Sequence, residues 1–345
     1  MNASFKKYPL HFKQPAMTSR GRYENRPVWF LFLEDNGTTG IGECAPLAGL
    51  SRETPEQVEH FLTEITAAPK LFTGRPELLR EVPSVRFALE MAWLDLQQGG
   101  TRILFPSSFT EGQQGIPVNG LIWMGNREEQ ERQIRRKLDV GFRCIKLKIG
   151  ALHVDEELEL LKILRAERRP EALTLRVDAN GAFNPDDALS RLQRLAPFEI
   201  HSIEQPIAAG NWEQMARLCA ETPVPIALDE ELIGVNTPEE KEDLLDTIRP
   251  QFLVLKPSLH GGFSGCDEWI ELSGQRSIGW WITSYLESNV GLNAIAQWTF
   301  TKQVSTHQGL GTGQLFRNNF DSPLEMRGEE LWFDPLKEFS VMSGE

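Results

Sequence analysis

The feature that most constrains the fold is a regular alternation of short apolar runs with amphipathic helical patterns, which begins near residue 116. CIKLKIG (144–150) precedes VDEELELLKILRAERR (154–169), and LTLRVDANG (173–181) precedes NPDDALSRLQRLA (184–196). The pattern occurs about eight times, with a last strand expected near 306–313. It predicts a modified (β/α)8 TIM-like barrel. A doubly wound open sheet is the rival architecture, but neither a GxGxxG nor a P-loop sequence follows a predicted strand.

The first hundred residues have a different pattern. Residues 1–45 alternate as strands do, and Asn36-Gly37 is a hairpin turn signal. A helix is expected from about 54, where Thr54 can cap it and Pro55 can open it, and another over 83–100. We therefore predict an α+β capping domain over 1–105 and a catalytic barrel over 106–319. The tail, about 320–345, is expected to pack back onto the capping domain.

Charged residues end several of the apolar barrel strands, 25 to 30 residues apart, which is about one βα unit. The carboxyl ends of parallel barrel strands surround one mouth, where active sites of this fold lie. The chain therefore brings together two lysines of one strand, three acids of the next three and a lysine of the following one: Lys146, Lys148, Asp178, Glu204, Asp229 and Lys256.

Three carboxylates in a water-poor mouth repel one another and favour a bound cation. An all-oxygen donor set suits a hard ion, and we predict Mg²⁺, with Mn²⁺ as a substitute. Lysines on both sides of such a site suit proton transfer and the stabilisation of negative charge. Any one of these residues could instead be a helix cap or a solvated charge, and Lys148 could extend out of its strand towards water. Five such residues in register, with the carboxylates in the middle and lysines at both ends, make that interpretation less favourable.

Composition excludes several classes of function. With 36 basic and 49 acidic residues the net charge is −13, which argues against nucleic-acid or anionic-membrane binding. The apolar run VWFLFL (28–33) is too short to span a bilayer and lacks the flanks of a signal peptide. Four scattered cysteines form no CxxC pair. We predict a cytoplasmic protein; its oligomeric state stays open.

The ordered set KLK, DANG, EQP, LDE and a lysine on the sixth strand resembles the enolase superfamily, in its muconate-lactonizing-enzyme-like subgroup. The resemblance covers nearly the whole chain. It implies that Asp178, Glu204 and Asp229 bind Mg²⁺, which holds a substrate carboxylate while a lysine removes the α-proton and an enediolate forms.

Within that subgroup the chain looks most like the o-succinylbenzoate synthases of menaquinone biosynthesis. GECAPLAGLS (42–51) resembles their capping-domain loop, and VLKPSLHGG (254–262) has their Lys-Pro-x-Leu form. GLGTGQLF (309–316) lacks the Asp-x-Asp of the epimerases. The implied reaction is a syn dehydration of 2-succinyl-6-hydroxy-2,4-cyclohexadiene-1-carboxylate. Lys148 would be the base and then the acid, and Lys256 would stay cationic against the enediolate.

Further residues are candidates for substrate binding by their positions in the expected strands. Strand alternation places Lys146 beside Lys148, and Arg176 and Asn180 on the inward face with Asp178. Arg176 would orient substrate or metal, or else pack in a barrel layer. Ser284, Asn119 and Gly120 end other strands. The segment Thr18–Tyr23 corresponds to a capping loop, or to an ordinary polar turn.

Two other functions stay open at this stage. An N-acylamino-acid racemase or dipeptide epimerase would use Lys148 and Lys256 as paired acid and base. A non-catalytic barrel would bind only Mg²⁺ and a carboxylate, and two proton carriers argue against it.

Overall fold

The computed structural model describes residues 1–18 and 21–340. Its N-terminal part contains an antiparallel sheet. Its strands, in spatial as well as chain order, are β1 (Asn2–Thr18), β2 (Gly21–Asp35) and β3 (Thr38–Cys44). Asn36 and Gly37 join β2 to β3 with positive φ angles of 50° and 80°, so the predicted Asn-Gly turn is confirmed. Of the expected capping loop Thr18–Tyr23, Ser19 and Arg20 lie outside the described residues.

Three helices cover one face of this sheet: α1 (Pro55–Ala67), α2 (Pro69–Gly74) and α3 (Pro83–Gln97). The start of α1 is as predicted, with Thr54 and Gln57 forming a reciprocal capping box. Helix α3 packs so closely on β3 that a Cβ on Gly42 would lie 1.8 Å from the Ala88 carbonyl oxygen. The sheet and these helices together form the cap of the molecule.

The second part begins with a short strand, β4 (Ile116–Pro117), and continues as a seven-stranded parallel sheet in chain order. Its strands are β5 (Gly120–Ile122), β6 (Cys144–Lys148), β7 (Thr174–Asp178), β8 (Ser202–Glu204), β9 (Ile226–Leu228), β10 (Phe252–Leu255) and β11 (Gly279–Ile282). The helices that alternate with them are α4 (Arg127–Val140), α5 (Val154–Glu167), α6 (Pro185–Leu195), α7 (Trp212–Glu221), α8 (Pro238–Ile248), α9 (Gly262–Gln275) and α10 (Asn289–Thr301).

The barrel closes through a segment without a regular strand. Gln308 forms an isolated bridge with Val118, and Gly309 forms one with Thr283 beyond β11. The eighth strand predicted near 306–313 is therefore reduced to two bridging residues, which connect the two edges of the parallel sheet. The predicted fold class, a modified (β/α) barrel under an α+β cap, is confirmed.

The end of the chain touches both parts of the molecule. Strands β12 (Leu324–Arg327) and β13 (Glu330–Phe333) form a hairpin whose second strand pairs with β4, on the barrel side rather than on the cap. Phe320, just before the hairpin, packs against the cap residues Tyr8 and Phe30. The domain boundaries at 105 and 319 stay a prediction.

Strand register brings the charged residues together. Lys148 on β6 is paired with Asp178 on β7, which in turn is paired with Glu204 on β8. The residues that alternate with the charged ones along the strands, such as Ile145 and Leu147, point to the helix side and are buried in the main core. In the described part of the chain, no helix is long and apolar enough to cross a membrane.

Candidate active site

Three carboxylates lie at the carboxyl ends of adjacent strands. Asp178 ends β7, Glu204 ends β8 and Asp229 directly follows β9, and each is at most 2 % exposed. Each acid stands at the end of a short strand, directly before the chain leaves the sheet. The predicted convergence of these three acids at one mouth is what the structure shows.

Lysine ammonium groups lie between these acids. Lys146 Nζ is 2.6 and 2.7 Å from the two Glu204 carboxylate oxygens and 2.8 Å from Asp178 Oδ2. Lys148 Nζ is 2.6 Å from Asp178 Oδ2 and 2.7 Å from Asn180 Oδ1. Across the barrel, Lys256 Nζ is 2.5 Å from both oxygens of Asp229. The side chain of Lys148 is the most exposed of the three lysines, at 18 %.

Burial and charge shift the pKa values of this cluster in opposite directions. Burial alone would lower the pKa of Lys146, but Asp178 and Glu204 outweigh it and raise that pKa above its ordinary value. Burial, together with the charge of Asp178, raises the pKa of Glu204 well above its usual range. Asp178 itself has a lowered pKa, because Lys146 and Lys148 overcome its burial. The three carboxylates and the three lysines balance in formal charge, and burial is the main cause of the raised pKa of Glu204.

A fourth acid, Glu230, gives the cluster one carboxylate more than its lysines. Glu230, next to Asp229, has a pKa raised to about 7 by burial and by the Asp229 charge. Its Oε1 accepts a hydrogen bond from Asn180 Nδ2 at 3.0 Å, whereas its buried Oε2 has no partner among the described groups. Buried carboxylate oxygens without partners are costly, so a bound cation would relieve this arrangement.

The donor set fits Mg²⁺, although it is not arranged around an empty space. Among residues 1–18 and 21–340, no three His, Cys, Asp or Glu side chains enclose a ready metal position. The physical reason is that Lys146, Lys148 and Lys256 lie where the carboxylates would otherwise face one another. Asp178, Glu204 and Asp229 nevertheless supply the hard oxygen ligands that Mg²⁺ prefers.

A cavity of about 380 Å³ opens above the cluster. Its polar floor is the lysine and carboxylate group, and much of its wall is apolar. The apolar wall combines cap residues with residues at barrel strand ends: Leu47, Leu50, Leu121, Trp123, Trp281, Tyr285 and Leu286. An apolar chamber with a few convergent charges is typical of a small-molecule site.

Several residues predicted for substrate binding do line this cavity, namely Lys146, Asn119, Asn180 and Ser284. The buried Oδ1 of Asn119 has no partner among the described groups, so it is available to a donor on a substrate. Ser284 Oγ lies 2.6 Å from Thr312 Oγ1, which also lines the cavity. Asn180 adopts a φ of 45°, which turns the chain away directly after Asp178 and Ala179.

Two predicted residues do not line it. Strand β5 begins at Gly120 instead of ending there, and a Cβ on Gly120 would lie 3.0 Å from Lys137 Cδ on the helix side. Arg176 lies deeper in the barrel, where it donates to the His307 carbonyl at 2.8 Å and stacks over Trp281. These contacts favour the packing alternative for Arg176, which is two residues before the strand end.

The sequence reasoning missed several lining residues. Glu230 carried a signal, since it is the last letter of LDE. Tyr285 is next to the predicted Ser284 in TSYLESN (283–289). Leu47 and Leu50 lie within GECAPLAGLS (42–51), whose resemblance to a capping loop was a signal for them. Trp123 carried no such signal, because it reaches the cavity only through the placement of β5.

Gln205, the central residue of EQP, holds the loops around the acids. Its Oε1 accepts from the backbone N–H groups of Asp229 and Glu231, both at 3.2 Å, and its Nε2 donates to the Ile207 carbonyl at 3.0 Å. The side chain thus ties the loop after β8 to the loop after β9. This arrangement fixes the backbone on which Asp229 stands.

Comparison with known proteins agrees with this geometry. Residues 129–333 match the family described as enolase C-terminal domain-like. The chain belongs to the enolase superfamily. Residues 1–96 match the MenC N-terminal domain, which corresponds to the cap.

Within the enolase superfamily the chain groups with the o-succinylbenzoate synthases. It is 46 % identical to the o-succinylbenzoate synthase of Desulfotalea psychrophila, over 95 % of this chain and 98 % of that protein. The crystal structure of MenC from the same organism superposes with a TM-score of 0.82 at 44 % identity and covers 96 % of this chain and 99 % of that one.

Other members of the enolase superfamily are also similar. An N-succinylamino acid racemase of Thermus thermophilus is 31 % identical over 82 % of this chain and 77 % of that protein. A dipeptide epimerase from Enterococcus faecalis, solved as a complex with Mg and the dipeptide L-Leu-L-Tyr, has a TM-score of 0.82 at 18 % identity. That structure covers 99 % of this chain and 98 % of its own, and it shows the shared fold.

Proposed function

We propose that this protein is a Mg²⁺-dependent o-succinylbenzoate synthase, a hydro-lyase of menaquinone biosynthesis that acts in the cytoplasm. The observation that carries the proposal is the placement of Lys148 and Lys256 on opposite sides of three buried acids, in a chain 46 % identical to such a synthase. The substrate would be 2-succinyl-6-hydroxy-2,4-cyclohexadiene-1-carboxylate, and the products 2-succinylbenzoate and water.

The carboxylates of Asp178, Glu204 and Asp229 would hold the metal ion. When bound, Mg²⁺ would supply positive charge that stabilises the negative charge developing on the substrate carboxylate. With Glu230 the cluster has four carboxylates for three lysines, and burial together with the Asp178 charge raises the pKa of Glu204; both observations support this assignment.

Lys148 would carry the proton in both halves of the reaction. In its neutral form it takes the proton from the ring carbon that bears the carboxylate, and the C–H electron pair moves into the ring and carboxylate. The ammonium then returns this proton to the hydroxyl at the neighbouring carbon as the C–O bond breaks, so that one water leaves and the ring becomes aromatic. Its side chain, more exposed than those of Lys146 and Lys256, supports this role.

Lys256 would remain an ammonium group throughout. Although burial opposes it, Asp229 and Glu204 raise the pKa of Lys256, which favours the charged form. A fixed positive charge on the far side of the ring stabilises the anionic intermediate without moving a proton. Lys146, paired with Glu204 and Asp178, would contribute a second fixed charge beside the substrate carboxylate.

The cavity wall suits the rest of the substrate. The apolar side chains from the cap and from the strand ends would surround the ring, and Ser284, Thr312 and Asn119 would meet the oxygen atoms of the succinyl group. The wall segment 309–312 contributes Gly309, Gly311 and Thr312 and no acid. A free substrate amino group would have no carboxylate partner there, which disfavours dipeptide epimerisation.

An N-acylamino-acid racemase is the second candidate. The racemase of Thermus thermophilus at 31 % identity favours it, as do the two lysines on opposite sides of the cavity. Acylation removes the amine charge, so the absence of an acid from 309–312 does not argue against this reaction.

One pair of assays separates the two functions. The purified chain, with Mg²⁺ and then with a chelator, is given the cyclohexadiene substrate, and 2-succinylbenzoate is followed by its aromatic absorbance. A parallel sample in deuterium oxide receives N-succinyl amino acids, and exchange of the α-proton is followed by NMR. Mg²⁺-dependent aromatisation without exchange supports the synthase; exchange without aromatisation contradicts it and supports the racemase.

A further inference from the structure

Tyr285 links the cap of the molecule to a lysine of the active site. Its ring is 4 % exposed, lines the cavity and lies 5.9 Å from Lys256 Nζ. The same ring lies 4.9 Å from the guanidinium carbon of Arg26, which belongs to β2 of the cap. Two positive groups from two parts of the fold therefore contact one aromatic ring.

Arg26 is unusual because it is fully buried without a carboxylate partner. In the described part of the chain its guanidinium forms no ion pair; it donates instead to the backbone carbonyls of Ala45 and Tyr285. Its Nε has no hydrogen-bond partner among residues 1–18 and 21–340. A buried charge needs compensation, and here two carbonyl oxygens and the Tyr285 ring provide it.

These contacts also seat the cap loop, which we define as residues 45–51. Arg26 donates a hydrogen bond to the carbonyl of Ala45, the first residue of the cap loop. The Tyr285 hydroxyl lies 3.4 Å from the Oγ of Ser51, the last residue of the loop. Ser51 Oγ in turn accepts from the Leu47 backbone N–H at 3.0 Å. Leu47 and Leu50 of this loop are part of the cavity wall. Tyr285 thus contacts the loop that covers the cavity as well as the lysine beneath it.

We propose that Tyr285 is a positioning residue: its ring, clamped by Arg26, holds the Lys256 ammonium group against the cavity wall and couples its placement to the seating of the cap loop. The proposal rests on the proposed function for its kinetic consequences. In the structure Lys256 has Asp229 as its hydrogen-bond partner. Because Asp229 is also a candidate metal ligand, a bound cation would compete for these oxygens, whereas it would not compete for the ring.

Substitutions of Tyr285 separate its ring from its hydroxyl. Y285F keeps the ring and removes only the hydroxyl, whose contact to Ser51 is long, so its kcat should fall less than that of Y285L. Y285L replaces the ring by a branched alkyl group that still fills part of the space. It should lower kcat at least about fivefold, with a smaller change in KM. Y285M, whose unbranched side chain adapts to the space, replaces Y285L if the leucine variant does not fold. The matched control is Y8L, since Tyr8 also joins the cap to the C-terminal part, by a 3.0 Å hydrogen bond to the Asn318 carbonyl, and does not line the cavity.

A second readout does not require turnover. The full chain, with Mg²⁺, is treated with a trace of acetic anhydride, and acetylation of Lys256 is measured by mass spectrometry relative to the exposed Lys162. We expect acetylation of Lys256 to rise about fivefold in Y285L and to stay unchanged in Y285F and Y8L. Equal acetylation of Lys256 in wild type and Y285L overturns the inference, as does an equal loss of activity in Y285F and Y285L. A wild-type chain that does not dehydrate contradicts the proposed function alone, because the acetylation comparison still decides the role of Tyr285.

Discussion

The ammonium nitrogen of Lys256 lies 2.5 Å from both carboxylate oxygens of Asp229. This pairing places a fixed positive charge on the wall of the cavity opposite Lys148, four strands away in the sheet. It also means that Asp229, like the other two candidate metal ligands Asp178 and Glu204, is shared with a lysine. Proton transfer, charge stabilisation and metal binding therefore depend on the same few atoms, and each can be tested separately.

Removal of the proposed base should abolish turnover without unfolding the protein. In K148A no group at this position can carry the proton from carbon to the leaving hydroxyl, so we expect kcat to fall by at least about 10³-fold. Steady-state kinetics and circular dichroism measure activity and fold. K162A, which removes an exposed lysine from α5, is the control. Near-normal turnover in K148A would exclude the mechanism.

Metal binding should depend on Glu204. Changes around a metal ligand already cost about 10- to 100-fold in affinity, so E204Q, which alters a ligand directly, should weaken Mg²⁺ binding by more than about 100-fold in calorimetry. At a concentration of 100 times its Kd, Mg²⁺ should also stabilise the wild type by about 2.7 kcal/mol and raise its Tm.

The control for this experiment is E213Q, in which an exposed acid of α7 is changed. It should respond to Mg²⁺ as the wild type does. The same Mg²⁺ affinity in E204Q and wild type would remove Glu204 from the ligand set.

The stability of the chain should fall as the pH rises through the titration of Glu43. This cap residue is buried against the start of α10, where it accepts hydrogen bonds from the Ser288 and Gly291 backbone N–H groups, both at 2.8 Å. Burial raises the pKa of Glu43 to about 7, from 4.5 in the unfolded chain. A raised folded-state pKa means that the native state holds the proton more tightly, so its contribution is complete below pH 4.5 and is lost as the pH rises through 7.

The expected size of this contribution is on the order of 3 kcal/mol. Chemical denaturation of wild type and E43Q at pH 5 and pH 8 measures it. E43Q has no titratable group at this position, so its free energy of unfolding relative to that of the wild type should be higher at pH 8 than at pH 5. The control is E64Q, an exposed change on α1, whose stability should follow that of the wild type at both pH values. A wild type and an E43Q variant with the same pH dependence would contradict this assignment.

The contact between β3 and α3 in the cap should tolerate no side chain at Gly42. In G42A the new Cβ would lie 1.8 Å from the Ala88 carbonyl oxygen, and the two elements would have to separate. We expect a loss of at least about 3 kcal/mol in the free energy of unfolding. G74A is the matched control, because no atom lies within 4 Å of the Cβ position there. Equal stability of G42A and wild type would show that the cap can repack.

The sequence determined the architecture and the chemically active cluster. Apolar runs of strand length alternate with helical patterns, and parallel strands connected by helices place their carboxyl ends at one mouth, so the positions of Asp178, Glu204, Asp229 and Lys256 followed from chain order alone. Alternation along β6 likewise placed Lys146 and Lys148 on one face.

Only the tertiary structure decided what surrounds that cluster. Gly120 begins β5 instead of ending it, and Arg176 lies in a deeper layer than the strand ends. A shift of one or two residues along a strand moves a side chain to the other face or to a deeper layer, and local sequence does not specify strand ends that closely. Tyr285 met Arg26, and Leu47 reached the cavity, only when the cap was packed on the barrel. Such contacts join residues more than 200 positions apart, and they depend on how two packed surfaces fit rather than on any periodicity within one segment.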